Sequence, residues 1–391
     1  MKVRTLPILL GLICSIFVVA ACNNQVTISQ NIQNKKGQSN NKPQWIKIIT
    51  VKQIPRGDKI INAAPEKNGI LVALSVPATA NTPPGLQMAL ASRNGVRMIG
   101  RPITYPGENL DMSIKHFNIS ETGKGKPEMA WTNGDGSHAT FVKWSKGKWV
   151  EEQTPVLKMP SGVPTSIIAM PLLGLNGTMW LVYVEATDAF SDTFNHNFKE
   201  IVYRYSVSKK WQKLWEGVFR TNADFGRLLI FNTMPGSVVV EINKARFLVV
   251  NKDGSTTIIP FPPHAHMRGS NVSATAVYPV TRSKIYVPVA RLSSSYDELW
   301  RFSAGEWENI IVKGSNLQNA DMIGILNGKP ILEKFIGYGH KAHLYSWNSR
   351  NGWQQTNITA KPGIIVTNDY GIVAYTPDGA WIWQGPAIGK V

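Results

Sequence analysis

Residues 143–149, KWSKGKW, set two tryptophans, Trp144 and Trp149, on either side of a Ser-Lys-Gly-Lys turn. Two large aromatics on so small a hairpin need a reason, and the rest of the chain supplies one. Relatives of the hairpin recur along the sequence: QMALASRNGVRMI at 87–99, EIVYRYSVSKKWQKL at 200–214, ARFLVVNKDGSTTII at 245–259, DELWRFSAGEWENII at 297–311 and AHLYSWNSRNGWQQT at 342–356. Each is an apolar or aromatic strand, a turn of small and polar residues, and a second strand. The second strands open at Arg97, Trp149, Trp211, Thr256, Trp307 and Trp353, giving spacings of 52, 62, 45, 51 and 46 residues. Strand-turn-strand units at that period indicate an all-β chain built as a β-propeller.

Each unit carries two further strands upstream. MIGILNG, KPILEKFI, AHLYSWN and GWQQTNIT, between 322 and 359, read as four consecutive strands, A to D, with turn residues between them. The C-terminal stretch GIIVTNDYG, IVAYTPDG, AWIWQGPA supplies A, B and C and no D. The missing strand is at the other end, where residues 45–52, WIKIITVK, match EWENIIVKG down to the tryptophan. Residues 45–52 are therefore expected to pair beside 380–386. The result is one seven-bladed ring of four-stranded blades spanning 44–391 and closed by an N-terminal strand, which leaves fewer exposed sheet edges. The tryptophans at the starts of the D strands are read as packing residues wedged between blades.

The N-terminus has a different composition. Lys2 and Arg4 precede an apolar run from Leu6 to Ala21, shorter than a comfortable membrane span and of the length of a signal h-region. The run ends Val19-Ala20-Ala21-Cys22, which resembles the lipobox of bacterial lipoproteins. The resemblance implies a signal peptide at 1–21, cleavage before Cys22, and acylation of Cys22. Residues 22–43 then form a lipidated cysteine and a tether rich in Asn, Gln and Lys, a composition with little to bury. Cys14 and Cys22 are the cysteines of the chain, so the exported domain has no disulfide and no cysteine-bound metal. The expected location is the cell membrane or outer membrane, on its extracytoplasmic side. Asn23 after the lipidated cysteine favours outer-membrane sorting in a cell that has one.

Strand order sorts the loops onto two faces. The A–B and C–D turns are short: EKNG, NG, MPG, TRSK, SKGK, SAG. The D–A and B–C loops are long and chemically rich, and hold His138, His196, His264, His266, His340 and His343. Long loops on a rigid scaffold are where binding residues concentrate. The candidate contact residues on that face are Arg220, Asp224, Arg227, His264, His266, Arg268, Tyr338 and His340, with Trp131 as a stacking platform. Both termini fall on the opposite face, so the rich face is expected to point away from the membrane. His264-Ala-His266 has the alternation that brings two imidazoles to one side of a strand. No established metal-ligand spacing accompanies it, and the sequence assigns neither a metal nor a cofactor.

Glu185, Glu241, Glu333 and Arg291 each interrupt an apolar run near the end of a B strand. Carboxylates converging in a cleft serve acid–base chemistry, as in glycosidases. The C–D hairpins also resemble the Asp-box repeats of sialidases, in degenerate form: NKDGST at 251–256 keeps Asp-Gly, while SKGKW, SAGEW and NSRNGW keep Gly before Trp. The resemblance covers the turns alone and carries over no catalytic residue.

The chain has a formal net charge of +17, which attracts polyanions. Outside the cytoplasm these are lipid headgroups, envelope polymers or acidic glycans, and nucleic acid is excluded by compartment. The sequence thus reads as a monomeric, membrane-anchored propeller that binds an envelope protein, a glycan or another polyanion through its D–A/B–C face. The alternative is a glycan-active enzyme of sialidase-like architecture, which requires carboxylates such as Glu185 and Glu241 to meet at one pocket.

Overall fold

The computed structural model describes residues 44–384, apart from 56, 67–68, 82, 105–114, 122–125, 134–135, 158–166, 175–177, 187–195, 222–230, 243–245, 264–271, 275, 292–297, 312–316, 318–319, 337–340, 360–362 and 369. The strands form seven antiparallel sheets, the blades of a seven-bladed β-propeller. Blade one is β2 (Lys59–Glu66), β3 (Gly69–Val76), β4 (Gly85–Ser92) and β5 (Gly95–Thr104). Blade two is β6 (Lys115–Glu121), β7 (Pro127–Thr132), β8 (Ala139–Ser145) and β9 (Lys148–Glu152). Blade three is β10 (Ile167–Gly174), β11 (Thr178–Ala186), β12 (His196–Ser206) and β13 (Lys210–Thr221). Blade four is β14 (Phe231–Met234), β15 (Ser237–Ile242), β16 (Arg246–Asn251) and β17 (Thr256–Pro260). In blade five the innermost position is shared by β18 (Val272–Ala274) and β19 (Tyr278–Thr281), both paired with β20 (Lys284–Arg291), followed by β21 (Glu298–Ser303) and β22 (Glu306–Asn309). Blade six is β23 (Asp321–Leu326), β24 (Lys329–Ile336), β25 (Lys341–Asn348) and β26 (Gly352–Thr359). Blade seven is β27 (Ile364–Asn368), β28 (Gly371–Thr376) and β29 (Gly379–Gln384), completed by β1 (Gln44–Ile49).

The closing strand sits where the repeats require. β1 runs antiparallel to β29 with Gln44 opposite Gln384 and Trp45 opposite Trp383. The first residue of β1 and the last of β29 therefore share one face of the ring, the face of the A–B and C–D turns.

Burial is organised between blades. Seven apolar clusters lie one in each gap between adjacent blades. β11 shows how a strand serves two of them: Trp180, Val182 and Val184 pack toward blade four, while Met179, Leu181 and Tyr183 pack toward blade two. A strand covered on both sides needs apolar residues at every position, so β11 reads as a continuous apolar run without polar alternation.

The hairpin tryptophans pack across the strand pair. Trp144 lies directly opposite Trp149, with ring centroids 5.2 Å apart at 67°. The same position holds Trp347 and Trp353, Phe302 and Trp307, Tyr205 and Trp211, and Trp383 and Trp45, all with centroids 5.1–5.6 Å apart. Facing aromatics favour this tilted or edge geometry because the ring edge is positive and the face negative. The D-strand indoles also reach the preceding blade: Trp307 Nε1 donates to the Pro260 carbonyl at 2.9 Å, and Trp353 Nε1 to that of Ile310 at 2.7 Å. Trp144 and Trp149 do the corresponding job by contact at Gly100, which has φ +69°. A Cβ there would lie 2.3 Å from Cζ3 of Trp144. Gly100→Ala is expected to cost about 2–4 kcal/mol through overpacking and left-handed strain, read as a lowered urea midpoint; an unchanged midpoint would mean the two rings can shift freely.

The innermost strands are tied by side chains. Asn62, Asn118, Asn232 and Asn368 each donate Nδ2 to a carbonyl of the next blade, those of Phe117, Pro171, Val277 and Pro65, at 2.8–3.2 Å. The Tyr278 hydroxyl donates to the Met322 carbonyl at 3.0 Å, and Thr367 Oγ1 to that of Ile325 at 3.2 Å. Adjacent A strands run in the same sense and are not paired, so side-chain amides and hydroxyls satisfy carbonyls that the ladders leave over.

Candidate functional site

The two faces differ as expected. The C–D and A–B turns include two-residue links at Arg93–Asn94, Lys146–Gly147, Ala304–Gly305 and Asn327–Gly328. In the last three, both residues have positive φ, as a type I′ hairpin demands. On the other face the links between β11 and β12, β13 and β14, and β17 and β18 are nine to eleven residues long. Some links on this face are short: the B–C link of blade four spans 243–245, and that of blade seven is Pro377–Asp378, whose Pro377 carbonyl accepts from Ile60 N at 3.0 Å.

Of the candidate contact residues, Asp224, Arg227, His264, His266, Arg268, Tyr338 and His340 lie outside the described residues, as does Cys22. Arg220 has its backbone in β13, the outermost strand of blade three, opposite Asn197. Trp131 is placed differently from a stacking platform. It is 3% exposed, in the cluster between blades one and two with Met129 and Val142, so no ring face is open to a ligand. At the adjacent loop, Ser137 Oγ meets His138 Nδ1 at 2.6 Å. His343, in β25, is hydrogen-bonded through Nδ1 to the Gln355 side chain.

The carboxylates separate by strand parity. Glu185 is opposite Ile167 and Glu241 is opposite Phe247. Ile167 belongs to the cluster between blades two and three, Phe247 to that between blades four and five. The two glutamates thus lie in different gaps and do not converge. Glu241 lies within electrostatic reach of buried Glu200, whose carboxyl burial raises well above the ordinary value and Glu241 raises further. Glu298 is opposite Val289, which belongs to the cluster between blades four and five, and its Oε2 accepts from Trp300 Nε1 at 2.7 Å. Glu241 and Glu298 are both buried, at the loop-face ends of their strands.

In blade six, Asp321 stands directly opposite Glu333. Burial pushes the Glu333 carboxyl up to about 7, and the like charge of Asp321 pushes in the same direction. Asp321 is exposed at the start of β23, yet the surrounding protein desolvates its carboxyl enough to raise it as well. A carboxyl poised near neutrality beside a second one is a proton donor and acceptor in a single range of pH. Glu298 and Asp321 did not stand out in the sequence, because each begins a strand and interrupts no apolar run. Among the described residues no group of three or more histidines, cysteines or carboxylates is placed to hold a metal ion.

No family model and no curated protein matches the chain. Solved structures do match in fold. An oligogalacturonate lyase in complex with manganese aligns with TM-score 0.51 at 10% identity, over 88% of this chain and 97% of the lyase. The β-propeller domain of the Trilobed protease from Pyrococcus furiosus, which has an open velcro topology, aligns with TM-score 0.50 at 10% identity, over 85% and 95%. The acylaminoacyl peptidase of Pyrococcus horikoshii aligns with TM-score 0.50 at 11% identity, over 86% of this chain and 52% of that enzyme. This chain therefore spans about half the length of that peptidase. Identities this low define a class, that of β-propellers, and no more.

Proposed function

We propose that the chain is an extracytoplasmic lipoprotein, anchored through Cys22, whose propeller binds an envelope ligand through the D–A/B–C face. The observation that carries the reading is the division of labour between the faces. Long links gather on one, while tight turns and the point where the chain enters β1 lie on the other. An anchor at Cys22 would therefore present the long links to the surroundings. The full chain's net charge of +17, of which Lys2 and Arg4 would leave with the signal peptide, still favours an anionic ligand, and an acidic glycan is the chemistry that an exported basic binding protein meets. The separation of Glu185 from Glu241 supports recognition over turnover by that pair. Binding of the intact chain to an array of acidic and neutral glycans, at low and high salt, tests the reading. Salt-resistant binding to one acidic glycan is expected. Binding to every polyanion that vanishes with salt would remove the shaped site.

A second reading rests on Asp321 and Glu333, whose pairing suits a glycan-active enzyme, and on the fold likeness to a lyase covered over nearly its whole length. Turnover of an acidic oligosaccharide with an acidic limb near pH 7 would favour it. Asp321→Asn should then move that limb downward, because it removes the like charge that helps raise Glu333.

A further inference from the structure

The face of short turns, which the proposed function leaves as a mere support, carries a pattern of its own. Blades one to six each end there in an exposed basic residue: Arg93, Lys146, Lys209, Lys252, Arg282 and Arg350. Among the described residues of these tips, the exposed acids are Asp253 and Glu306. Asp253 is tied into its turn, with Oδ1 accepting from Ser255 N at 3.0 Å and Ser255 Oγ at 2.7 Å. Those hydrogen bonds hold its carboxyl below the ordinary range, and Arg282 of the next blade adds to the effect. The face is thus a ring of separated cations with little to neutralise it. Among the described residues, two of the four non-glycine residues with positive φ are lysines on these turns, Lys146 at +51° and Lys210 at +56°. Asn or Gly is a usual neutral occupant of such a position and Asp a usual acidic one, a cation not among them, and Asn327 shows this in blade six. The turns therefore carry positive charge where conformation alone would not select it.

We propose that this face docks on an anionic lipid surface, with the basic tips of blades one to six against the headgroups. The inference rests on the anchorage reading for one clause: residues 23–43 link Cys22 to Gln44 and enter the ring on this same face. Their contour is at most about 75 Å, short enough to keep the face within reach of the bilayer and to make docking effectively intramolecular. Each basic side chain brought to an anionic surface adds attraction that salt screens within about a Debye length. Docking of this kind fixes orientation. It turns the long-link face outward as a geometric consequence and not merely as an average over a loose tether.

The test uses the full lipidated chain in vesicles. With Cys22 acylated, a single introduced cysteine takes the label: Ser208→Cys on the turn face, or Asp378→Cys on the opposite face. The labels are read by quenching from headgroup-tagged lipid. Vesicles of about one-third phosphatidylglycerol should quench the label at 208 and leave that at 378, whereas phosphatidylcholine vesicles should quench neither. Salt of about 0.5 M should abolish the difference. The variant Arg93→Gln, Lys146→Asn, Lys252→Asn, Arg350→Gln makes changes that these exposed turns tolerate. It should lower docking about fivefold per charge removed while circular dichroism and flotation stay unchanged. Equal quenching in both lipids, or quenching at 378, would overturn the proposal. So would a face that ignores the vesicles and is shielded by a soluble acidic polysaccharide instead. A chain that does not float with vesicles of either kind would overturn the anchorage reading itself, an outcome distinct from the others.

Discussion

Deletion of residues 44–49 is expected to open the ring and remove most of its stability. β1 contributes Ile48 and Ile49, 6% and 1% exposed, to the cluster shared with Val373, Tyr375 and Ala380 of blade seven and Ile70 and Val72 of blade one. It also supplies Trp45, whose ring meets that of Trp383 edge-on at 5.6 Å. Losing the two isoleucines alone costs about 4–6 kcal/mol at the usual value for a buried aliphatic side chain. The tryptophan pair and the ladder to β29 add to this. A domain of this kind has about 5–15 kcal/mol in all, so the deletion consumes a large share of it. It also bares β29, whose outward hydrogen-bonding groups then form an unprotected edge. A large fall in the urea midpoint is expected, together with elution as dimers or larger species as one chain's β29 recruits another's. A deleted chain that elutes as a monomer with its midpoint unchanged would show that the closing strand is dispensable. Ile49→Asp is the finer version: it leaves the strand in place but buries a carboxylate in an apolar gap, and should cost about 3–5 kcal/mol.

That closing strand was legible because it is a local signal that recurs in five of the seven blades. Trp45, Trp149, Trp211, Trp307 and Trp353 are each the second residue of their strand, and each meets an aromatic directly across the pair or across the closure. A periodic hairpin with a cross-strand aromatic pair needs no long-range knowledge to be recognised. The site is another matter. Whether Glu185 meets Glu241 depends on which of two gaps each side chain enters, and that is set by strand parity counted from register, which composition does not reveal. One residue of slip sends a side chain to the opposite gap. Trp131 illustrates the same point: beside a histidine-containing loop it read as a platform, yet as the fifth residue of a six-residue strand buried throughout it is core. The inner asparagines were illegible for a third reason. Asn62, Asn118, Asn232 and Asn368 occupy no common spacing, and their shared role follows only from the ring that brings each A strand beside the next.

Burial of charge gives the second large effect. Glu128, in β7 and 2% exposed, is expected to make the folded chain less stable as pH rises from about 4.5 to about 8. Burial pushes its carboxyl up to about 8; Lys143, opposite it in the ladder, pulls down, and Glu152 pushes up. Lys143 gives it little help because Lys143 Nζ is already ion-paired with Glu152 Oε1. The sign follows from proton binding. Between the two values the folded chain keeps the Glu128 proton and the unfolded chain has lost it, so folding is favoured most below about 4.5 and the advantage is gone above about 8. A shift of that size is worth on the order of 5 kcal/mol across the window. Glu200 acts in the same direction: burial raises it well above the ordinary value, Glu241 adds to the rise, and Oε2 has no hydrogen-bond partner among the described residues. Glu152 acts in the opposite direction. Burial works to raise it, but hydrogen bonds from Lys143 and Tyr205 hold it below the ordinary value, so its contribution is lost only as pH falls through the acid range. Urea unfolding at pH 5, 7 and 9 should therefore show stability declining toward pH 9 in the parent chain. Glu128→Gln should remove its own share of that decline, gaining several kcal/mol at pH 9 and little at pH 5, because an amide fills the same space without a charge to desolvate. The double variant with Glu200→Gln should be flatter still. A parent chain whose stability rises across this window would mean that both carboxylates find cations in the folded state, and would remove the buried-acid account of the gaps between blades two, three and four.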